Sequence, residues 1–302
     1  MGRAGHRYIV AELHGRLGAQ LFEFASCYAL ARDRDAELRF YNGSVPADDL
    51  LLPGLIGAVY QEGSPAELLR VGRFPWELPS ARAWQAATHR IVDRVRAVGD
   101  RGTGSVTLWR PPATYLPELL ELPLPVCIRG YLQTERYFAK YADEIMSVLQ
   151  WPPRSPSLPP DTGPTIAVSF RRGDYNSLGW TLPLEYYDDA LELVMAQLPD
   201  ATIVLFGDDP GFVQLAARWL SKYAPTIDGL AFGADPVAQL TTFSQCDHCV
   251  ISNSSFAWWG AWLGDQMKPA ATRMVVAPSE YGEGSDRLPE RWLKVKSGSA
   301  VF

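Results

Sequence analysis

From residue 165 to 277, short apolar runs and helix-length segments alternate without interruption, and that alternation restricts the fold more than any other feature of the chain. Residues 165–170 read as a buried strand of small and β-branched types. They are followed by a helix at about 183–198, a strand at 202–206, a helix at about 211–222, a short strand near 229–232 and a helix at about 235–245. A strand at 249–251, a helix opened by Ser252 and running to Leu263, and a strand at 273–277 complete the series. Strands separated by helices of this length lie parallel, with helices on both faces of the sheet. Ligands of such sheets sit beyond the carboxyl ends of the strands, so the segments that matter chemically are those that follow each strand.

The first half carries the same pattern less regularly. A strand at 7–13, a glycine-containing turn at 14–20, a helix at 21–31 and a strand at 36–41 make a βαβ unit with a right-handed crossover. Residues 42–110 mix Pro, Gly and short apolar clusters and are the expected seat of specificity, because variable loops carry specificity more often than core strands. A further strand at 126–132 leads through 133–138 to a helix at 139–149. The stretch 151–164 holds six prolines in 14 residues, which neither a helix nor a central strand accommodates. The expected organisation is therefore an N-terminal α/β domain over 1–150, a linker over 151–164 and a C-terminal Rossmann-like domain over 165–302.

Composition removes several alternatives. The chain has 302 residues and a formal net charge of -6, which argues against a general nucleic-acid binder. No apolar run approaches the length of a membrane span, and the first residues lack the apolar segment of a signal peptide, so the expected location is cytoplasmic. Cys246-Asp-His-Cys249 resembles half of a zinc site without a second ligand pair. The four cysteines, Cys27, Cys127, Cys246 and Cys249, read as packed free thiols, and no metal is expected.

Three segments that follow strands hold groups suited to a ligand, two of them to an anion. Arg171 and Arg172 offer planar forks of donors that fit phosphate oxygens two at a time, and Gly173 lets backbone approach a ligand. The alternative for Arg171-Arg172-Gly173-Asp174 is a surface turn closed by an ion pair. Ser252, Ser254 and Ser255 at a helix start supply hydroxyl and main-chain donors, or simply cap the helix. Asp208 or Asp209 could accept from a guanine edge or ribose hydroxyls, or could lie in a solvated loop.

These segments also carry a resemblance. Asp235-Pro with Cys246-Asp-His-Cys-Val-Ile-Ser-Asn-Ser-Ser-Phe-Ala-Trp-Trp-Gly-Ala-Trp-Leu-Gly264 resembles the signature of the α-1,2-fucosyltransferase family, the inverting GDP-fucose enzymes of bacterial type. Val168-Ser-Phe-Arg-Arg-Gly-Asp-Tyr175, Gly130-Tyr-Leu-Gln-Thr-Glu-Arg-Tyr-Phe138 and Gly15-Arg-Leu-Gly-Ala-Gln20 are similar to its other blocks, in the same order. The resemblance implies a GT-B-like architecture of two Rossmann-like domains with parallel sheets facing a central cleft. It also implies no metal or cofactor, a GDP-sugar donor and a glycan or small-molecule hydroxyl acceptor.

Carried over residue by residue, Arg171 and Arg172 hold the diphosphate, and Asp174 orients them or acts near the reacting sugar. Asp208 or Asp209 addresses guanine. Ser169, Asn253, Ser254, Ser255, Phe256, Gly15, Arg16 and Gly18 line the donor site, and Gln133 and Glu135 lie on the acceptor side. Asp174, His14 and Glu135 are the candidates for general base. Trp258, Trp259 and Trp262 are expected in the core.

Two positions depart from the family pattern, which has His where Ser169 stands and Asn where Ala19 stands. A changed donor or acceptor, a reduced activity, or replacement by His14 or Arg16 each accounts for this. The functional expectation is transfer of fucose or a related 6-deoxy sugar, forming an α-1,2 linkage. The alternative is a sugar-nucleotide-binding protein that has lost turnover and serves as a regulatory or scaffold module.

Overall fold

The structure, a computed structural model, describes residues 7–43, 45–71, 105–108, 115–151, 163–229, 235–268, 273–279 and 286–297. The chain divides into two compact units. The first comprises Met1–Gln150 with Gly284–Arg287, and the second Trp151–Glu283 with Leu288–Phe302. Much of the region expected to set acceptor specificity (72–104 and 109–110) and most of the expected linker (152–162) lie outside the described residues.

The first unit opens with β1 (Tyr8–Glu12), α1 (Leu17–Asp33) and β2 (Glu37–Tyr41), with β1 and β2 parallel as the βαβ reading requires. Two short helices follow, α2 (Leu52–Ile56) and α3 (Pro65–Arg70), the latter closed by a capping box between Ser64 and Glu67. Then come β3 (Ser105–Leu108), β4 (Val126–Gly130) and α4 (Ala142–Val148). The four strands form one parallel sheet in the order β2-β1-β4-β3. Four of the five β1 residues are apolar and the whole strand is buried, as expected where a parallel sheet is covered on both faces.

Helix α1 begins four residues earlier than the glycine turn suggested. Gly15, at φ +59°, makes the reversal alone, and Arg16 is the N-cap. Leu17, Gly18, Ala19 and Gln20 are already helical and buried. Gln20 explains why the turn closes so quickly. Its Nε2 donates to the carbonyls of Gly15 (3.0 Å) and Asp49 (2.8 Å), and its Oε1 accepts from the N–H groups of Leu51 and Leu52 at 3.3 Å. A fully buried amide with all its capacity met is a rigid joint between α1 and the segment before α2.

The second unit contains β5 (Thr165–Phe170), α5 (Gly173–Leu178), α6 (Leu184–Met195), β6 (Thr202–Gly207) and α7 (Pro210–Leu220). It continues with β7 (Thr226–Asp228), α8 (Pro236–Gln245), β8 (His248–Val250), α9 (Ser255–Met267), β9 (Val275–Pro278) and β10 (Leu293–Val295). The strand expected near 229–232 falls mostly outside the described residues; β7 precedes it, with Thr226 and Ile227 supplying β-branched types.

All six strands are parallel in the order β10-β9-β8-β5-β6-β7. The order runs outward from β5 in one direction and from β8 in the other, so the topological switch point lies between these two neighbours. Both units are thus α/β with parallel sheets, the class the sequence indicates.

The core of this unit is built from the strands and the inner faces of α6 and α7, including Val168, Tyr186, Leu191, Leu205, Val213 and Leu220. Trp258, Trp259 and Trp262 are fully buried in α9; Trp259 meets the other two edge to face, with Trp258 and Trp259 centroids 5.3 Å apart, and Trp292 also lies against Trp258. They are core residues, as expected. The four cysteines are buried and unbridged. No helix among the described residues is long and apolar enough to cross a membrane.

Candidate functional site

The switch point of the second sheet gathers the residues that the sequence singles out. β5 ends at Phe170, and Arg171 and Arg172 follow at once. β8 ends at Val250, and Ser252 to Ser254 lead into α9. The two segments are stitched together beneath the rim. Ser169 Oγ accepts from the main-chain N–H of Ser252 at 2.8 Å and lies 3.2 Å from Ser252 Oγ. Ser169 and Ser252 are both buried, so their hydroxyls serve each other. Ser169, expected to line the donor site, joins β5 to the β8–α9 loop.

The two arginines have different surroundings. Arg171 is held by two carboxylates, Asp174 Oδ1 at 2.6 Å and Asp208 Oδ2 at 2.8 Å, and its guanidinium lies 5.1 Å from the centroid of Tyr175. Arg172 rests on Phe212 at 4.2 Å, and its Nε is buried with no hydrogen-bond partner. A buried guanidinium donor left unpaired costs about 1–3 kcal/mol or more.

The loop opposite repeats that condition. Asn253 is 6 % exposed, and its Nδ2 donates to the Trp180 carbonyl at 2.8 Å. Its Oδ1 has no partner, and its own carbonyl accepts from the Tyr175 hydroxyl at 3.4 Å. Ser254 is the N-cap of α9, its hydroxyl accepting from the Phe256 N–H at 3.3 Å, while Ser255 and Phe256 form the first turn. That turn keeps main-chain N–H groups and the positive end of a 13-residue helix at the rim.

The aspartates divide in a way the sequence left open. Asp209 is the N-cap of α7, with Oδ1 accepting from Phe212 N–H at 3.0 Å. Asp208 turns toward the arginines, and its Oδ1 accepts the Arg172 main-chain N–H at 2.8 Å. Asp208 lies exposed in the loop after β6 with both oxygens engaged, and Asp209 is engaged by its own helix.

In the first unit, four ionisable groups meet at the carboxyl ends of β1 and β4, which are adjacent in that sheet. Glu12 and Arg129 are direct partners in the β1–β4 register. His14 Nε2 lies 3.4 Å from Glu12 Oε1, and His14 Nδ1 lies 3.3 Å from Glu23 Oε1. Glu23 Oε2 accepts the main-chain N–H of His14 at 2.9 Å. Arg129 Nε is 3.1 Å from both His14 Nε2 and Glu12 Oε1.

Burial alone would push the His14 imidazole down. Hydrogen bonds to Glu12 and Glu23, and their charges, outweigh it and push the ring up to about 9. Burial pushes the Glu23 carboxyl up to about 7 against the opposing pull of His14. With the ring protonated, both its N–H groups donate to carboxylates and the Arg129 N–H goes to Glu12. Sequence reasoning named His14 but missed Glu12, Glu23 and Arg129. The available signal was charge inside otherwise apolar segments: Glu12 in β1, Glu23 in α1 and Arg129 in β4.

The remaining expected residues fall elsewhere in this unit. Arg16 is exposed at the N-cap of α1, next to Gly15, and Gly18 is buried inside the helix. Gln133, expected on the acceptor side, is buried and receives Arg287 on its Oε1. Its neighbour Thr134 donates to the Asp286 carbonyl at 2.6 Å, so this stretch secures the returning segment 286–287. Glu135 begins a single 3-10 turn, Glu135–Tyr137.

Comparison with known proteins follows the same line. A family model described as Glycosyl transferase family 11 matches residues 118–281. An α-1,2-colitosyltransferase of Escherichia coli is 23 % identical over 322 residues, covering 95 % of this chain and 99 % of that protein. The galactoside 2-α-L-fucosyltransferase Sec1 of Mus musculus is 23 % identical over 256 residues, covering 82 % of this chain and 62 % of that one. Among solved structures, the fucosyltransferase NodZ from Bradyrhizobium aligns with a TM-score of 0.46 at 15 % identity, covering 86 % of this chain and 93 % of that one.

Proposed function

The chain belongs to Glycosyl transferase family 11, and from that premise we propose that it moves fucose or a related 6-deoxy sugar from a GDP donor to a hydroxyl of a glycan or small-molecule acceptor, forming an α-1,2 linkage with inversion. The linkage is supported by two relatives whose names specify transfer to a 2-position, and the sugar class by the fucosyl relative. The observation that carries the reading is Arg172, whose buried Nε has no partner at the β5–β8 switch point. An always-charged donor at the place where parallel sheets bind ligands suits a diphosphate.

In this reading the acceptor oxygen forms a bond to the anomeric carbon as the bond from that carbon to the phosphate oxygen breaks, and the electron pair leaves with the diphosphate. Arg172, Arg171 and the first turn of α9 stabilise the charge that develops there, the task a divalent ion performs in other transferases, so transfer is metal-independent.

The acceptor proton needs a base. His14, clamped between two carboxylates and protonated at neutral pH, has no lone pair to offer. Asp174 is better placed chemically: its side chain is 57 % exposed and Arg171 engages one of its oxygens. We assign it the role of general base.

Calorimetric titration with GDP-fucose, GDP-mannose and UDP- and TDP-sugars tests the donor without requiring the acceptor. Binding confined to GDP-sugars, followed by GDP release on addition of a hydroxyl acceptor, is the expected result. Tighter binding of a UDP- or TDP-sugar would overturn it.

A further inference from the structure

We infer that Asp208 is a positioning residue that sets the two arginines, and that it does not read the base of the nucleotide; the inference rests on the reading of the rim as a diphosphate site. Asp208 leaves β6 directly beside the end of β5, where Phe170 and Gly207 are register partners. Both of its oxygens are committed within the chain. Oδ1 accepts the Arg172 main-chain N–H at 2.8 Å, and Oδ2 pairs with Arg171 Nη1 at 2.8 Å. A carboxylate that reads a guanine edge must turn both oxygens toward two adjacent N–H donors of the base, and this one has already turned them toward main chain and guanidinium.

Gly173 shows that the approach is built in. A Cβ at that position would stand 2.6 Å from Asp208 Oδ2, closer than a side chain and a carboxylate can come, so only glycine leaves Asp208 where it is. Asp174 also binds Arg171, but at 57 % side-chain exposure against 22 % for Asp208 it is the more screened partner.

The next residue completes the arrangement. Asp209 fixes the Phe212 N–H, and Phe212 is the ring on which the Arg172 guanidinium rests. The two adjacent aspartates therefore hold the main chain of Arg172 and the platform beneath its side chain. The unpaired Nε of Arg172 is left as the group that meets the ligand.

The test is titration of the full chain with inorganic pyrophosphate, GDP, ADP and UDP, with thermal unfolding recorded for every variant. Asp208→Ala should weaken all four ligands by a common factor of about 10–100, the size expected for a lost charged hydrogen bond. Asp208→Asn keeps an oxygen for the Arg172 N–H and should recover most of that loss. Gly173→Ala should reproduce the Asp208→Ala phenotype, and the double variant should be little worse than either, because both remove one shared contact.

A selective loss of GDP with pyrophosphate unchanged would make Asp208 a base reader and overturn the inference, as would unchanged affinity for all four ligands. If Asp208→Ala fails to fold, Asp208→Asn and Gly173→Ala decide between the same outcomes. Wild-type protein that binds neither GDP nor pyrophosphate would remove the diphosphate reading itself and the inference with it, a result distinct from any change confined to the variants.

Discussion

The carboxyl end of β1 in the first unit and the carboxyl end of β5 in the second are both placed beside a strand out of sequence order, and both collect charge. At β1 the charges cancel in burial: Glu12, His14 and Glu23 are 4 %, 6 % and 2 % exposed, and each faces an opposite charge. At β5 the pairing is unequal, since Arg171 is engaged by two carboxylates while Arg172 keeps a buried donor unpaired. The difference separates two uses of the same topology. A charge cluster closed on itself is a joint in the scaffold, and its removal should cost stability. A cluster left one partner short is, in the proposed reading, a binding site, and its removal should cost affinity.

The sharpest way to press that contrast is Asp174→Asn, which removes the proposed base while leaving the rim in place. Turnover should fall by about 10²–10⁴-fold, the usual worth of general base catalysis, with GDP affinity changed less than about tenfold. Steady-state kinetics alongside calorimetry reads both, and an unchanged kcat would exclude Asp174 as the base.

Next in size, Glu23→Ala should lower stability by about 3–5 kcal/mol in denaturant titration, because it leaves the His14 ring charged and half-paired in a buried site. A loss below about 1 kcal/mol would mean that the β1 cluster is not a closed joint.

Arg172→Ala should do the reverse. GDP affinity should drop by about 100-fold or less, as expected for truncating a charged donor, with the melting temperature nearly unchanged. Calorimetry and thermal unfolding on the same sample check both halves, and lost stability with retained affinity would break the comparison.

The smallest effect is a slope with pH. His14 has a folded value near 9, above its ordinary 6.5, and Glu23 one near 7, above 4.5. Each contributes stability that is complete below its ordinary value and is lost as pH rises through the raised one. The melting temperature should therefore decline between about pH 6.5 and 9, and the decline should flatten in His14→Gln. A wild-type stability that rises over that interval would contradict the assigned direction.

The parts of this molecule legible in the sequence are those fixed by local pattern. β5 was readable to the residue, because Thr165–Phe170 is an unbroken run of strand formers followed at once by charge. The rim segments after β5, β6 and β8 were readable because strand ends announce themselves, and the tryptophans of α9 because they lie among apolar neighbours.

What was not legible depends on partners distant in sequence. Nothing local reveals that Arg172, 36 residues before Asp208, donates its main-chain N–H to that carboxylate. The Ser169 contact is hidden for the same reason, its partner Ser252 lying 83 residues on. The cluster around His14 depends on Arg129, 115 residues away. β3 and β10 are four and three residues long, too short for a periodic signal.

The central claim is tested most directly by a crystal structure of the protein grown with GDP. The account predicts the diphosphate at the β5–β8 switch point, with a phosphate oxygen within hydrogen-bond distance of Arg172 Nε and the first turn of α9 facing it. A nucleotide bound elsewhere, with Arg172 Nε still unpaired, would contradict it.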